Sequence, residues 1–179
     1  MPGAKGNGGE KEVAAILKGW WSSLEPDVSF CRTPSSGGWS HGRDKAAFNA
    51  AGDIMTSSSS FPFCVEVKRR EGWDIDQLKS KRPSSPVWPW WRQSQIDAKR
   101  MTSKKLPMLV FRKNRQPWHV WIPINSIKTE MSKCLLWMPN TQWQVSQLAA
   151  VQYGAVAPIG FMFDHLTKIP PKLLLECLL

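Results

Sequence analysis

The sequence predicts a single α/β domain, and three observations predict it. An amphipathic stretch near the start repeats apolar residues at helical spacing. Short runs rich in β-branched and aromatic residues, bounded by turn residues, follow it. A second helical stretch then separates those runs from two more of the same kind. The 179 residues suit one compact domain, and 42% of them are apolar, enough for a sizeable core.

The elements follow in order. Residues 1–9 (MPGAKGNGG) are rich in glycine and read as flexible. Over 10–24, Val13, Ile16, Leu17, Trp20, Trp21 and Leu24 recur at three-to-four spacing, which predicts a helix. Residues 28–32 (VSFCR) predict a short strand. The stretch TPSSGGWSHGRDK is a loop, and a helix or turn is expected over 45–50. A second strand starts at 52–55 (GDIM), the serines of 57–60 make a turn, and 61–68 (FPFCVEVK) is a third strand. Residues 72–89 read as irregular, with prolines at 83, 86 and 89. A helix is expected over 90–103. Strands at 107–112 and 117–123 follow, joined by the polar turn KNRQ. Beyond 124 the pattern predicts one short helix near 143–150 and a proline-punctuated tail. No repeat or linker divides the chain. A core of 1–123 with an extension of 124–179 packed on it is the simplest organisation.

Charge narrows the class of partner. A net charge of +10 and a pI near 9.7 favour a polyanion, nucleic acid before a membrane surface. No apolar run reaches the roughly 18–20 residues a membrane span needs. The first 18 residues lack the apolar segment of a secretory signal. Cys31, Cys64, Cys134 and Cys177 form no C-x-x-C pair, so reduced thiols in a cytoplasm are expected rather than zinc or disulfides. Eleven tryptophans are many for this length. Core packing is their ordinary use, and stacking on exposed bases is the functional one.

One constellation carries chemistry. Phosphodiester hydrolysis needs a Mg²⁺ ion held by hard oxygen ligands with positions open to water and phosphate. It also needs a cation to steady charge in the transition state. Asp53 begins one predicted strand, and Glu66 lies thirteen residues on, in the next. Strand alternation puts Lys68 on the same face as Glu66. The Val67 carbonyl between them is a further oxygen donor. Taken alone, E-V-K is more often an exposed strand face with an ion pair, and the G-D-I segment upstream turns the balance towards hydrolysis. Glu10 lies on the apolar stripe of the first helix, where a buried acid needs a partner. Glu12 lies off that stripe and is expected in solvent.

Together these residues resemble the archaeal and phage Holliday-junction resolvases of the PD-(D/E)-x-K nuclease superfamily. The resemblance rests on four segments in order, within about residues 5–122. They are K-G-x-x-x-E at Lys5, Gly6 and Glu10, R-x-P-x-S-G at Arg32, Pro34, Ser36 and Gly37, G-D-I at 52–54, and V-E-V-K at 65–68. It implies a restriction-endonuclease-like fold, a central mixed sheet flanked by helices. It implies dependence on Mg²⁺, with Mn²⁺ substituting, and a homodimer acting on branched DNA in a bacterial or phage-infected cell. Asp53 and Glu66 become metal ligands with the Val67 carbonyl, Lys68 the cation that orients water, and Glu10 an acid acting on the metal through water. Ser36 becomes a contact to the scissile phosphate, and Gln93, with Gln95 as substitute, the glutamine many relatives carry on the next helix. Arg32 and the serines of 33–38, Ser35 among them, become phosphate contacts, and Arg43, Lys45, Arg69 and Arg70 are expected to contact DNA from their basic clustering on this +10 chain.

The chain departs from that pattern in three places. Gly52 stands before the acid where proline is usual, 72–90 is longer and richer in tryptophan, and the tail beyond 124 has no counterpart. These favour a phage or bacterial offshoot. Basic clusters at 67–82, 99–105 and 112–115 suit a DNA surface, and the glycine-hinged loop 35–45 would close over a strand. Histidines at 41, 119 and 165 are too scattered for a metal or general-base role. The tryptophans at 88, 90 and 91 are candidates for stacking on unpaired bases. Trp137, Trp143 and Leu148 are candidates for a dimer interface. Two other functions compete: a nuclease acting on linear duplex or DNA ends, and a DNA-binding module without catalysis. The intact acidic pair and lysine disfavour the latter.

Overall fold

The computed structural model describes residues 3–34, 51–79, 85–128, 142–144 and 154–178. Helix α1 (Gly3–Trp21) is followed by strands β1 (Phe30–Arg32), β2 (Ile54–Thr56) and β3 (Phe63–Arg69). Helices α2 (Ile75–Lys79) and α3 (Val87–Arg100) lead to β4 (Leu106–Arg112) and β5 (His119–Pro123). Strands β6 (Gln142–Gln144) and β7 (Pro158–Met162) and helices α4 (Phe163–Leu166) and α5 (Pro171–Cys177) complete the described residues. The strands form one sheet in the order β1-β2-β3-β4-β5-β7-β6. Among the described residues only the β3–β4 pair is parallel, in register from Phe63 opposite Leu106 to Arg69 opposite Arg112, and α2 and α3 lie in its crossover. The mixed sheet flanked by helices, expected from the sequence, is therefore present.

Strand alternation sorts the core onto the two sides of the sheet. Phe63, Val65 and Val67 of β3, Met108 and Val110 of β4, and Val120 and Ile122 of β5 pack with Val13, Leu17, Trp20 and Trp21 of α1. Leu109, Phe111 and Trp121 pack on the other side with Leu78 of α2 and Val87, Trp88 and Trp91 of α3. Fully burying one large apolar side chain contributes roughly 1.5–3 kcal/mol relative to leaving it exposed. Both sides of β3 are thus covered, and a charged group there must be held by partners.

Several expectations are corrected. The glycine-rich start is helical from Gly3 onward. Gly9 lies under the Trp118 ring, where an added Cβ would come within 3.3 Å of it, so small residues let this helix approach β5. Trp88 and Trp91 are wholly buried, and Trp90 packs partly against the same cluster. The first two therefore serve the core and offer no face to a base. A short helix, α2, stands within the span expected to be irregular. Pro89 is tolerated in the first turn of α3, where no intrahelical N–H is required. Residues 142–144 form β6, hydrogen-bonded to β7, where a helix was expected from 143. The expectations for 35–50, Trp137 and Leu148 lie outside the described residues. No helix among the described residues is long and apolar enough to cross a membrane.

Candidate active site

Glu66 and Lys68 project from β3 toward α3, because Val65 and Val67 take the side facing α1. Glu66 is 2% exposed, and Lys68 Nζ donates to its Oε1. Asp53, one residue before β2, is fixed by three hydrogen bonds. Its N–H donates to the Val65 carbonyl at 2.8 Å, and its carbonyl accepts from the Thr33 N–H at 2.8 Å. Its Oδ2 accepts from the Val67 N–H at 2.9 Å. The acid is thereby locked beside Glu66 across the β2–β3 boundary. The N–H and carbonyl of one strand residue point to the same edge, so the Val67 carbonyl leaves β3 on Asp53's side. Gly52 makes the approach possible: its φ is +86°, and a Cβ there would stand 2.7 Å from the Val65 carbonyl oxygen. The residue in place of proline is thus required by the turn that delivers the acid.

The electrostatics are unbalanced toward negative charge. Burial pushes the Asp53 carboxyl up to about 6, against the Val67 N–H and Lys68, with Glu10 and Asp97 adding to the rise. Burial and then the neighbouring Asp53 push Glu66 up to about 8, although Lys68 opposes this. Burial works against the charge of Lys68, but the Glu66 carboxylate outweighs it and the net shift is upward. One lysine therefore faces two buried acids.

That surplus suits a divalent cation. Among the described residues no three His, Cys, Asp or Glu side chains converge as a ligand set. The donors these residues could offer such an ion are two carboxylates and a main-chain carbonyl. Mg²⁺ is commonly held in that way, by one or two carboxylates, with water and substrate phosphate completing its octahedron. The donors are hard oxygens, and the fit is good.

The remaining sequence-predicted residues divide. Glu10 is buried, as its place on the stripe required, and its Oε2 accepts from Arg32 Nε. Its charge reaches Asp53. Arg32, on β1, is thus tied to Glu10 with its side chain 28% exposed. Arg69 Nε donates to Asn114 Oδ1 at 2.9 Å, and Arg70 is exposed. Gln93 is exposed on α3 in a hollow it shares with Asp97. Gln95 is buried and clamps the main chain of Val156, accepting from its N–H at 3.1 Å and donating to its carbonyl at 3.2 Å. Its role is structural. Ser35, Ser36, Arg43 and Lys45 lie outside the described residues. His119 packs against Trp73 and Phe111, and burial pushes its imidazole down to about 4.

Two acids behave differently from their sequence reading. Glu12, expected in solvent, accepts from Arg112 Nη2 and from Trp118 Nε1 at 2.9 Å. Asp97 of α3, absent from the predicted set, carries a charge that raises Asp53, Glu66 and Cys64 alike. Its position four residues after Gln93 on one helix was the available signal, since residues so spaced share a face.

Residues 3–176 match the family described as "Phage putative PDDEXK endonuclease". No curated protein matches the chain. A solved structure with some likeness is that of Archaeoglobus fulgidus Hjc, described as a Holliday junction resolvase from an archaeal hyperthermophile. It is 15% identical with a TM-score of 0.32, over 64% of this chain and 74% of that one. So slight a likeness assigns no substrate.

Proposed function

Since this chain belongs to the phage PDDEXK endonuclease family, we propose that it is a Mg²⁺-dependent endodeoxyribonuclease selective for branched DNA, four-way junctions among them, and that it works as a homodimer in the cytoplasm. The observation that carries the hydrolytic part is the locking of Asp53 onto β3 by the Val67 N–H, beside the buried Glu66–Lys68 pair.

Asp53, Glu66 and the Val67 carbonyl would hold Mg²⁺, with Mn²⁺ as a substitute, and the chemistry such an ion would supply there is Lewis-acid polarisation of phosphate and activation of water. Lys68 keeps its proton at Nζ, because Glu66 sustains its charge, and orients the attacking water or offsets charge on the phosphate. Glu10 adds a negative charge near Asp53 and would act on the site through water. Arg32, Arg70, Ser36 and the loop that holds Ser36 are the proposed contacts to phosphate. Selection of branches is supported by the four resolvase-like segments of the sequence. A junction offers two equivalent scissile strands, which two active centres related by two-fold symmetry would meet.

The test is cleavage of a labelled four-way junction beside a matched linear duplex, with Mg²⁺ and with EDTA. Metal-dependent cutting that favours the junction is expected. Equal cutting of both substrates would move the assignment to a nuclease of linear duplex or DNA ends. No cutting of either would remove the catalytic reading. Sedimentation at micromolar concentration should show the dimer.

A further inference from the structure

Helix α3 turns Val87, Trp88, Trp91, Ser94, Gln95 and Ala98 inward. On its outer side Arg92, Ile96 and Arg100 follow one another at four-residue spacing, so they form a single stripe about 12 Å long. All three are exposed, Ile96 to 41% and the Arg100 side chain to 62%. Among the described residues, exposed large hydrophobics are few, and Ile96 is the one flanked on its own helix by two arginines. Arg92 has no hydrogen-bond or ion-pair partner among the described residues. Arg100 donates to Asp97 Oδ1 at 3.1 Å.

The stripe borders an open hollow of about 380 Å³ lined by Pro89, Arg92, Gln93, Ile96, Asp97 and Arg100. Asp97 links that hollow to the catalytic pair. Its side chain is only 15% exposed, it sits on the helix that covers the Glu66 side of β3, and its charge is felt at Asp53 and Glu66. A surface on the helix that covers the proposed hydrolytic centre, carrying two cations about an apolar knob, has the chemistry that complements a nucleic-acid strand. Guanidinium groups hold phosphates, and an aliphatic side chain lies against a base face or wedges between bases that have lost their stacking.

We infer that the outer stripe of α3 receives the DNA strand next to the scissile phosphate, with Arg92 and Arg100 on its phosphates and Ile96 against a base unstacked at the branch. This rests on the nuclease reading and adds to it the surface that distinguishes a branch from a continuous duplex. Asp97 holds Arg100 in place, and its own negative charge keeps the strand's phosphates to the outer side of the helix.

The test is DNA binding by the full chain in EDTA, measured against salt for wild type and for Arg92→Gln/Arg100→Gln, beside Mg²⁺-dependent cleavage by wild type. Glutamine is a good helix former, so the double variant should fold. Each phosphate contact removed lowers the slope of log affinity against log salt by about 1, so a fall of about 2 is expected. Ile96→Ala should lower the ratio of junction to duplex affinity toward one. Leu173→Ser, at an exposed leucine of α5, should leave that ratio unchanged. An unchanged salt slope in the double variant, or an unchanged ratio in Ile96→Ala, overturns this inference while cleavage by wild type still stands. A wild type that cuts no DNA overturns the reading beneath it.

Discussion

Two clusters of charge, on opposite sides of the same sheet, differ in how they are balanced. On the α1 side Glu12 meets one cation, Arg112, and one neutral donor, Trp118 Nε1. Arg112 also lies over the Trp118 ring at 4.2 Å, so its charge is paired and the helix is tied to β4 and to the residue before β5, while the buried Nε of Arg112 has no hydrogen-bond partner among the described residues. On the α3 side Asp53 and Glu66 share Lys68, and Asp97 adds a further negative charge in reach. In the first cluster the acid has its own cation. The second is held rigid by main-chain bonds yet lacks positive charge. A structural ion pair gives its acid a cation, whereas the second cluster holds more acid than cation.

Substitutions should separate the clusters by what they damage. Asp53→Asn and Glu66→Gln are expected to abolish Mg²⁺-dependent cleavage while DNA binding survives, since removing an acid cannot weaken attraction to a polyanion. Single-turnover assays with electrophoretic binding on the same preparations check this, and metal-dependent cutting by either variant would make the two clusters alike. Lys68→Ala should lose on the order of 10²–10⁴ in rate, the contribution of a positioned catalytic group. Glu10→Gln should also lose rate with its fold retained, and a rate within about threefold of wild type would remove either residue from the site.

Glu12→Gln should do the reverse. It leaves Arg112 without its carboxylate, and hydrogen bonds to charged groups contribute about 1.5–3 kcal/mol. Because Glu12 is 40% exposed, a cost near the lower end, about 1.5 kcal/mol, is expected in chemical denaturation. Cleavage per folded molecule should stay near wild type. A large loss of rate without loss of stability would place Glu12 with the catalytic acids.

A further effect concerns pH. Glu66, and to a lesser degree Asp53, has a folded-state pKa above its unfolded value. The stability linked to that uptake of protons is present in full below the unfolded value. It is lost as pH rises through about 6 for Asp53 and about 8 for Glu66. Metal-free protein should therefore melt at a lower temperature at pH 8.5 than at pH 5.5 (roughly the two sides of this window). Glu66→Gln should flatten the difference. An equally steep profile in the variant would show that other groups carry it.

The pairing of Asp53 with the Glu66–Lys68 strand was legible because its signal is local. Two strands, the alternation within β3 and the turn before Asp53 lie within seventeen residues, 52–68, and Gly52 marks the turn by its chemistry. The balanced cluster was not legible, because the partners of Glu12 lie 100 and 106 residues away. Helical periodicity could say only that Glu12 left the apolar stripe. Gly9 read as part of a flexible start because its reason for being small, the Trp118 ring, lies equally far along the chain. Trp88 and Trp91 looked available for stacking, since the crossover that buries them joins two distant strands. At 142–144 pairing with β7 overrode the local pattern.

The central claim is that the Asp53–Glu66 pair holds excess acid for a divalent cation. Calorimetric titration of Mn²⁺ into the protein at pH 7, in two buffers of different ionisation heat, counts the protons released on binding. Binding with net proton release is expected from wild type, because Glu66 is pushed up to about 8 and must give up its proton to act as a ligand. Asp53→Asn and Glu66→Gln should bind far more weakly, and Glu66→Gln should release fewer protons. Binding of equal strength by both variants, or no proton release from wild type, would contradict the account.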